Sequence, residues 1–563
     1  VIDVIDMAAQ SQRSTVTLMP GDEPGRLAED GAGRIHVALR GGGALVTIDP
    51  GQGTVVARRS VCPAPRGVAW DKSTDLVWVA CATGELVAFP SAGGAAAQSF
   101  VVERDLRDVI VQADGTLTVS KFRSAEVLRI ASDGTIANRA QLPSNGPFSS
   151  HVAWRIIPGP WAQTTFAVYQ QEMTSPIPTN VPGGYSGGGF GGPPGKGGSF
   201  EGAVDASSSA LLLVNDAGPG FPPSVPPGVG SIVESVMTVL GSDGRSIASP
   251  VNLPNAVLPV DIAVSRDGSR VAIAAAGFGF TGSPSVWVVA TDQGGGTAGI
   301  ALGAWPVVAV AFDGSGNLLA QTLEPKGIYF IKTSTPATAR TLSLSSISRH
   351  HTGHDIFHTQ AGGLIACASC HPEGGDDGHV WLLDGMPRRT PSLRGTIAGT
   401  APYHWPGEEL DMSMLIDDVY SGRMSGAKLD PSQRHALTDW VERIPAPAVP
   451  SWIDASAAQR GKALFQGSAG CASCHTGAKL TNNATVDVGT GSDPGREPDG
   501  GAPPVAFQVP PLVGVGWRTP LLHDGCAVTI AERFGKCATA AHGKTSHLSP
   551  QDVGDLTAYL ESL

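Results

Sequence analysis

Two pentapeptides carry the most specific chemistry in the chain, Cys367-Ala-Ser-Cys370-His371 and Cys471-Ala-Ser-Cys474-His475. Two thiols at this spacing can form thioethers with the vinyl groups of a haem, and the histidine that follows is placed to ligate its iron. A single match would compete with a reading as half of a zinc site. The same pentapeptide occurs twice, however, and no other Cys-x-x-Cys is present to complete such a site. The sequence therefore predicts two covalently bound haem c groups, with His371 and His475 as proximal iron ligands. Near the first motif stand Gly378-His379-Val380-Trp381 and Tyr403-His404-Trp405, which add side chains able to ligate iron, move protons and carry electrons.

Eight cysteines less these four leave Cys62, Cys81, Cys526 and Cys537. They form two sequence-local pairs that suit two disulfides, the alternative being four buried reduced thiols. Haem attachment and disulfides both suit an oxidising compartment, which predicts a periplasmic or extracellular protein. The chain begins at Val1 without a basic segment and an apolar core, so it reads as an exported protein whose signal peptide has been removed. No apolar run is long enough for a transmembrane segment. The net charge of −12 argues against a nucleic-acid partner and suits an acidic surface facing a basic redox protein.

The elements that must position these residues fall into two kinds. A length of 563 residues implies two or more domains, and 73 glycines and 44 prolines with 16% charged residues imply many turns and short strands. Residues 1–344 repeat pairs of apolar strands, such as Ile35–Leu39 with Leu45–Ile48 and Leu76–Ala80 with Leu86–Phe89. Asp-Gly turns at Asp30, Asp114, Asp267 and Asp313 precede many of the pairs. A repeat of about 40–45 residues is that of a four-stranded blade and predicts an all-β propeller. Six units are countable, and the fourth is interrupted by a Gly/Pro-rich insertion near 174–230, within which Gly183 to Gly198 reads as a mobile loop. A seventh blade would form if Ser14 to Met19 paired with the last one. No catalytic constellation stands out in this region, and His36 and His151 read as ordinary strand residues.

From residue 345 the pattern becomes mainly α-helical. Asp430-Pro431 and Ser549-Pro550 each read as an N-cap followed by proline in the first helical turn. Two helical modules are predicted, 345–446 for the first haem and 447–563 for the second, joined by a stiff proline-rich linker at Ile444 to Pro450.

Over roughly Gly353 to Leu563 the sequence resembles the bacterial di-haem cytochrome c peroxidase family, which includes the MauG-type oxidases. The motifs that carry the resemblance occur in the family's chain order. They are the first haem motif, Gly378 to Trp381, Pro387-Arg388-Arg389-Thr390-Pro391-Ser392-Leu393, Tyr403-His404-Trp405-Pro406-Gly407, the second haem motif, and Pro520-Leu521-Leu522-His523-Asp524-Gly525. The resemblance implies a peroxidatic first haem, fed with electrons by the second through Trp405. It implies that His379 caps the first iron at rest, although only eight residues separate it from His371, fewer than in many members. The family's distal acid has no clear counterpart, and His404 and Glu408 are the first choices for that proton-transfer role. No methionine follows Met424 to ligate the second iron, which leaves His542, His547 or His523, with His542 preferred. A histidine there would lower the potential of that haem. Thr390 and Arg518 replace residues usual at the family's calcium site, which makes calcium doubtful. His354 and His358 have metal-ligand spacing, but packing of His358 beside a haem edge is the preferred reading.

The function so implied is reduction of hydrogen peroxide at the first haem, with a small redox protein, a cytochrome c or a cupredoxin, as electron donor. The alternatives are a non-catalytic di-haem electron-transfer protein and a MauG-like oxidase of aromatic residues in a protein substrate.

Overall fold

The apolar segments closed by Asp-Gly turns fold into antiparallel blades. In the computed structural model residues 1–179, 183–186, 212–215, 231–277, 285–291, 297–302, 306–332, 339–395, 397–491 and 506–563 are described. Six blades span 24–60, 65–101, 106–141, 148–252, 259–301 and 307–343. The turn aspartates act as the sequence implies. Asp30, Asp114, Asp267 and Asp313 each accept a backbone N–H from two residues further on, as does Asp133.

The propeller has six blades, not seven. The strand Ser11–Val16 pairs with Ile2–Asp6 in a hairpin of its own, which packs its apolar side on blade 1. From there Asp3 pairs with Lys326 and Gln10 accepts from Arg340, both of blade 6, so the hairpin clasps the two ends of the ring. Blade 5 gains a fifth strand, Leu212–Asn215, paired with Thr297–Ala301. Most of the segment expected to be a mobile loop, at 187–198, lies outside the described residues.

The innermost strand of every blade has a register shift near its start. A bulge re-aims the side chain it carries. Here it accompanies the charged residues of the ring's centre. Asp108 and Asp261 each bind both Arg26 and Arg155, joining blades 1, 3, 4 and 5.

The haem-motif region docks on one face of this ring. Phe122, Val152, Trp154 and Val257 of the propeller share one buried cluster with Phe357, Ala368, Leu437 and Ile444. The residue two beyond the first haem-motif histidine, Glu373, is enclosed among arginines of three blades, with 16% of its side chain exposed. It lies 2.5 Å from Arg66 and Arg107 and 3.5 Å from Arg40. Burial alone would raise the Glu373 carboxyl, but the three guanidinium groups hold it well below the usual carboxylate range. Its backbone sits in the left-handed region, at φ 53°, a conformation that its surroundings must impose.

Four principal helices frame the two haem motifs: α1 (Thr352–His358), α2 (Pro431–Glu442), α3 (Ala455–Gln466) and α4 (Pro550–Glu561). Asp430 and Ser549 cap α2 and α4 with reciprocal capping boxes, and a proline opens each helix. In each module the helix before the motif crosses the helix after it at a glycine. A Cβ on Gly353 would stand 2.0 Å from the Ala436 carbonyl oxygen, and one on Gly461 would stand 1.9 Å from that of Asp555. Four residues after each glycine a phenylalanine packs on an aromatic of the crossing helix, Phe357 on Trp440 and Phe465 on Tyr559.

Replacing Glu373 by Gln leaves three arginines facing a buried neutral amide. Breaking such a cluster costs about 3–5 kcal/mol. The expected result is a separate, earlier unfolding transition of the haem region in calorimetry of the haem-loaded protein.

Candidate haem site

The first motif forms a one-turn helix, Cys367–Cys370, closed by the His371 N–H donating to the Cys367 carbonyl. The His371 ring sits beside the Gly375 carbonyl, with Nδ1 3.1 Å from that oxygen. A carbonyl accepts only, so Nδ1 carries the proton and Nε2 keeps its lone pair. Burial lowers the His371 pKa and keeps the ring neutral. His475 repeats the arrangement, with Nδ1 3.1 Å from the Leu480 carbonyl and its pKa lowered by burial.

Cys367, Cys370 and His371 line a cavity of about 380 Å³. Phe357, Ile365, Trp381, Ile416 and Leu437 give it apolar walls. Burial pushes the Cys367 thiol up to about 12, which disfavours a thiolate and suits a neutral thioether. Two buried guanidinium groups, Arg389 and Arg518, also line the cavity. Arg389 Nε is buried without a hydrogen-bond partner, and Asp376 is the carboxylate paired with that residue. Surplus positive charge on an apolar cavity wall suits the carboxylates of haem. Donor set, apolar walls and basic edge all fit a covalently bound haem.

The propeller builds part of this wall. The start of the blade 4 insertion runs beside the strand Val380–Leu383, with the Ile177 N–H donating to Leu382 and the Asp384 N–H to Ile177. Tyr185 and Ile232 from the same insertion line the cavity.

His404, Trp405 and Glu408 are wall residues too. His404 Nδ1 is 3.1 Å from Glu408 Oε1. Burial opposes ionisation of Glu408, yet the His404 hydrogen bond holds its carboxyl below the usual range. The Trp405 indole donates to the Arg389 carbonyl at 2.7 Å. Its ring meets Phe507 and His523 edge-on, at 6.3 and 6.1 Å between centroids. Trp405 thus stands where the two helical modules touch.

His379 is placed elsewhere, which corrects the expectation of a cap on the first iron in this state. Among the described residues it is not part of the cavity lining; Nε2 donates to the Met173 carbonyl at 3.0 Å and Nδ1 lies 3.0 Å from His151 Nε2. The reason is the propeller, whose fourth blade supplies both partners. His151 is a strand residue, as the sequence suggested, but it faces the haem region. His36 is enclosed in blade 1, between Asp30 and Thr47.

Of the three candidates for the second iron, His542 is the one that faces His475, at 6.4 Å between ring centroids and 31° between planes. Two imidazoles bound on opposite sides of one metal at about 2.0 Å stand roughly 6.2 Å apart between centroids. His523 is instead stacked on Phe507 at 4.0 Å, and His547 is exposed. Cys526 is bonded to Cys537, and Cys62 to Cys81. His358 donates from Nδ1 to the His354 carbonyl and packs against Trp440, while His350 pairs with Asp355. Thr390 donates to Asp377, and the Arg518 guanidinium is held by the carbonyls of Pro511 and Val513, so both are engaged within the protein at the position where calcium was considered.

Several contributors were missed by the sequence reading. The repeated Gly-x-x-x-Phe at Gly353 and Gly461 is legible as a signal, because it precedes both haem motifs. Tyr185, Met173 and Glu172 carry no local signal, since only the folded propeller brings them to the haem region.

Comparisons with known proteins find relatives of the C-terminal region. The cytochrome c family model matches residues 458–563. The methylamine utilization protein MauG of Methylorubrum extorquens is 28% identical over 261 residues, 36% of this chain and 73% of its own length. The hydrazine synthase subunit gamma of Kuenenia stuttgartiensis is 28% identical over 257 residues, 36% of this chain and 72% of its own length. Among solved structures, a streptogramin B lyase covers 59% of this chain and 86% of its own at 11% identity, with a TM-score of 0.38. The chain is a fusion of a six-bladed propeller with a C-terminal cytochrome c-type region similar to MauG and to hydrazine synthase gamma. It carries covalently bound haem c and has a haem-dependent redox function. No described helix is long and apolar enough to cross a membrane.

Each attachment motif is expected to hold one haem. Cys367→Ala/Cys370→Ala and Cys471→Ala/Cys474→Ala should each lower covalently bound haem by one equivalent, read by intact-protein mass spectrometry.

Proposed function

We propose that the protein is an exported di-haem oxidoreductase of the peroxidase type, active in the periplasm or outside the cell. The first cavity is its reactive site and the second module relays electrons. One asymmetry carries this reading: His475 faces a second imidazole, His542, at a spacing that closes both sides of an iron. Among the described residues no such ring pair involves His371, and the other imidazole on that cavity wall, His404, is bound to Glu408.

A haem held by Cys367, Cys370 and His371 supplies the one-electron and oxygen chemistry of that cofactor. The chain supplies proton handling and access. With Nδ1–H donated to Glu408, His404 keeps Nε2 as the basic nitrogen, able to accept a proton from hydrogen peroxide and return it as water leaves. Tyr185 and Ile232 add propeller residues to the cavity wall. Trp405 bridges the cavity to Phe507 and His523 of the second module and is the natural path for electrons. The donor is a small redox protein of the cytochrome c or cupredoxin kind. Similarity to MauG supports a second reading, in which a partner protein is the substrate and its aromatic residues are oxidised through the same path.

The test is steady-state peroxide reduction with a reduced small c-type cytochrome as donor. His404→Ala should lower kcat/KM by about 10²–10⁴-fold, as for removal of a general acid–base, while haem content stays at wild-type level. Wild-type protein that consumes no peroxide with any such donor contradicts the peroxidase reading.

A further inference from the structure

His151, Glu172 and His379 converge where blade 4 meets the haem region, and each can offer one ligand atom to a common point. Glu172 lies opposite Ser149 in the ladder between Phe148–Pro158 and Thr165–Met173, so His151 is its diagonal neighbour on the same face. His379 comes from the segment just before the strand Val380–Leu383.

His379 Nδ1 is 3.0 Å from His151 Nε2 and 3.8 Å from Glu172 Oε2. Ligand atoms about 2.0–2.1 Å from a tetrahedral zinc ion are roughly 3.3 Å apart, which these two separations bracket. With no ion bound, the His151 Nε2–H donates to His379 Nδ1, which leaves His151 Nδ1 as an acceptor 3.9 Å from Glu172 Oε2. The Glu172 side chain has no exposure, and neither of its oxygens has a hydrogen-bond partner. His151 Nδ1 is buried and unpartnered as well. Burial, with the neighbouring Asp377 adding to it, raises the Glu172 carboxyl well above its ordinary range, as expected of an acid that no cation balances. Arg123, the nearby cation, is turned to Asp376 and to the carbonyls of Trp517 and Thr519. Among the described residues no cationic side chain is paired with Glu172.

We propose that His151, Glu172 and His379 form a binding site for one divalent transition-metal ion of the zinc type, pinning blade 4 of the propeller to the haem region. Two imidazoles and a carboxylate are a ligand set characteristic of zinc with an open fourth position. The Met173 carbonyl accepts from His379 Nε2, which fixes Nδ1 as the ligating atom in the manner of an outer-shell partner. A cavity of about 350 Å³, lined by His151 and Gly378, adjoins the cluster and gives the ion an entry path and room for water. A bound ion would hold His379 away from the first haem cavity, so the site also bears on whether that cavity is capped.

The test uses the full-length haem-loaded protein, stripped with a chelator, equilibrated with zinc chloride, desalted and measured for metals. One zinc per chain is expected beyond the haem iron. Glu172→Gln and His151→Ala should each weaken zinc retention at least about tenfold, with His354→Ala unchanged as a control for surface histidines. Zinc-edge anomalous scattering from wild-type crystals, which needs no variant to fold, should place the ion between the three side chains. Absence of retained zinc, equal retention by the cluster variants with normal haem content, or an anomalous peak elsewhere would each overturn the proposal.

Discussion

The burial of Glu373 among Arg40, Arg66 and Arg107 is the constraint from which much of the architecture follows. These arginines come from three successive blades. Glu373 is two residues from His371, so the ion cluster fixes the first haem motif against the propeller. A buried charge cluster contributes little net stability over an apolar equivalent, but it penalises every arrangement that leaves a member unpaired. Its effect here is to specify one docking geometry, which the shared apolar cluster and the Gln170-to-Ser369 hydrogen bond then secure. Once that face is fixed, blade 4 must reach the haem cavity, and its insertion supplies Tyr185 and Ile232 to the wall.

The parts of this arrangement that were legible in the sequence are those encoded locally. The haem motifs, the blade repeat, the Asp-Gly turns and the proline-led helices each depend on residues within a few positions of one another. The two disulfides also join cysteines close in sequence. What was illegible depends on contacts between distant segments. His379 meets His151 across 228 residues of chain, a contact that no local spacing encodes. The N-terminal strand was similarly undetermined: Ser11–Val16 is polar up to its last residue and so carries no pattern that assigns a partner, and pairing with the nearby Ile2–Asp6 needs the shorter loop.

The two modules are built alike and differ where function requires. Both tie the proximal imidazole through Nδ1 to a backbone carbonyl and both cross their helices at a glycine. They differ on the far side. His542 faces His475 in the second, whereas the first has a walled cavity lined by His404 and Glu408. Trp405, anchored on Arg389 and leaning on Phe507, joins the unlike halves.

Electron paramagnetic resonance of the fully oxidised protein tests this difference most directly. Two ferric signals of unlike kind are expected: a low-spin signal from the iron between His475 and His542, and a high-spin signal from the iron held by His371. His542→Ala should convert the first and leave the second as it is. Two low-spin signals in the unmodified protein, each insensitive to added small ligands, would show both irons closed and contradict the account.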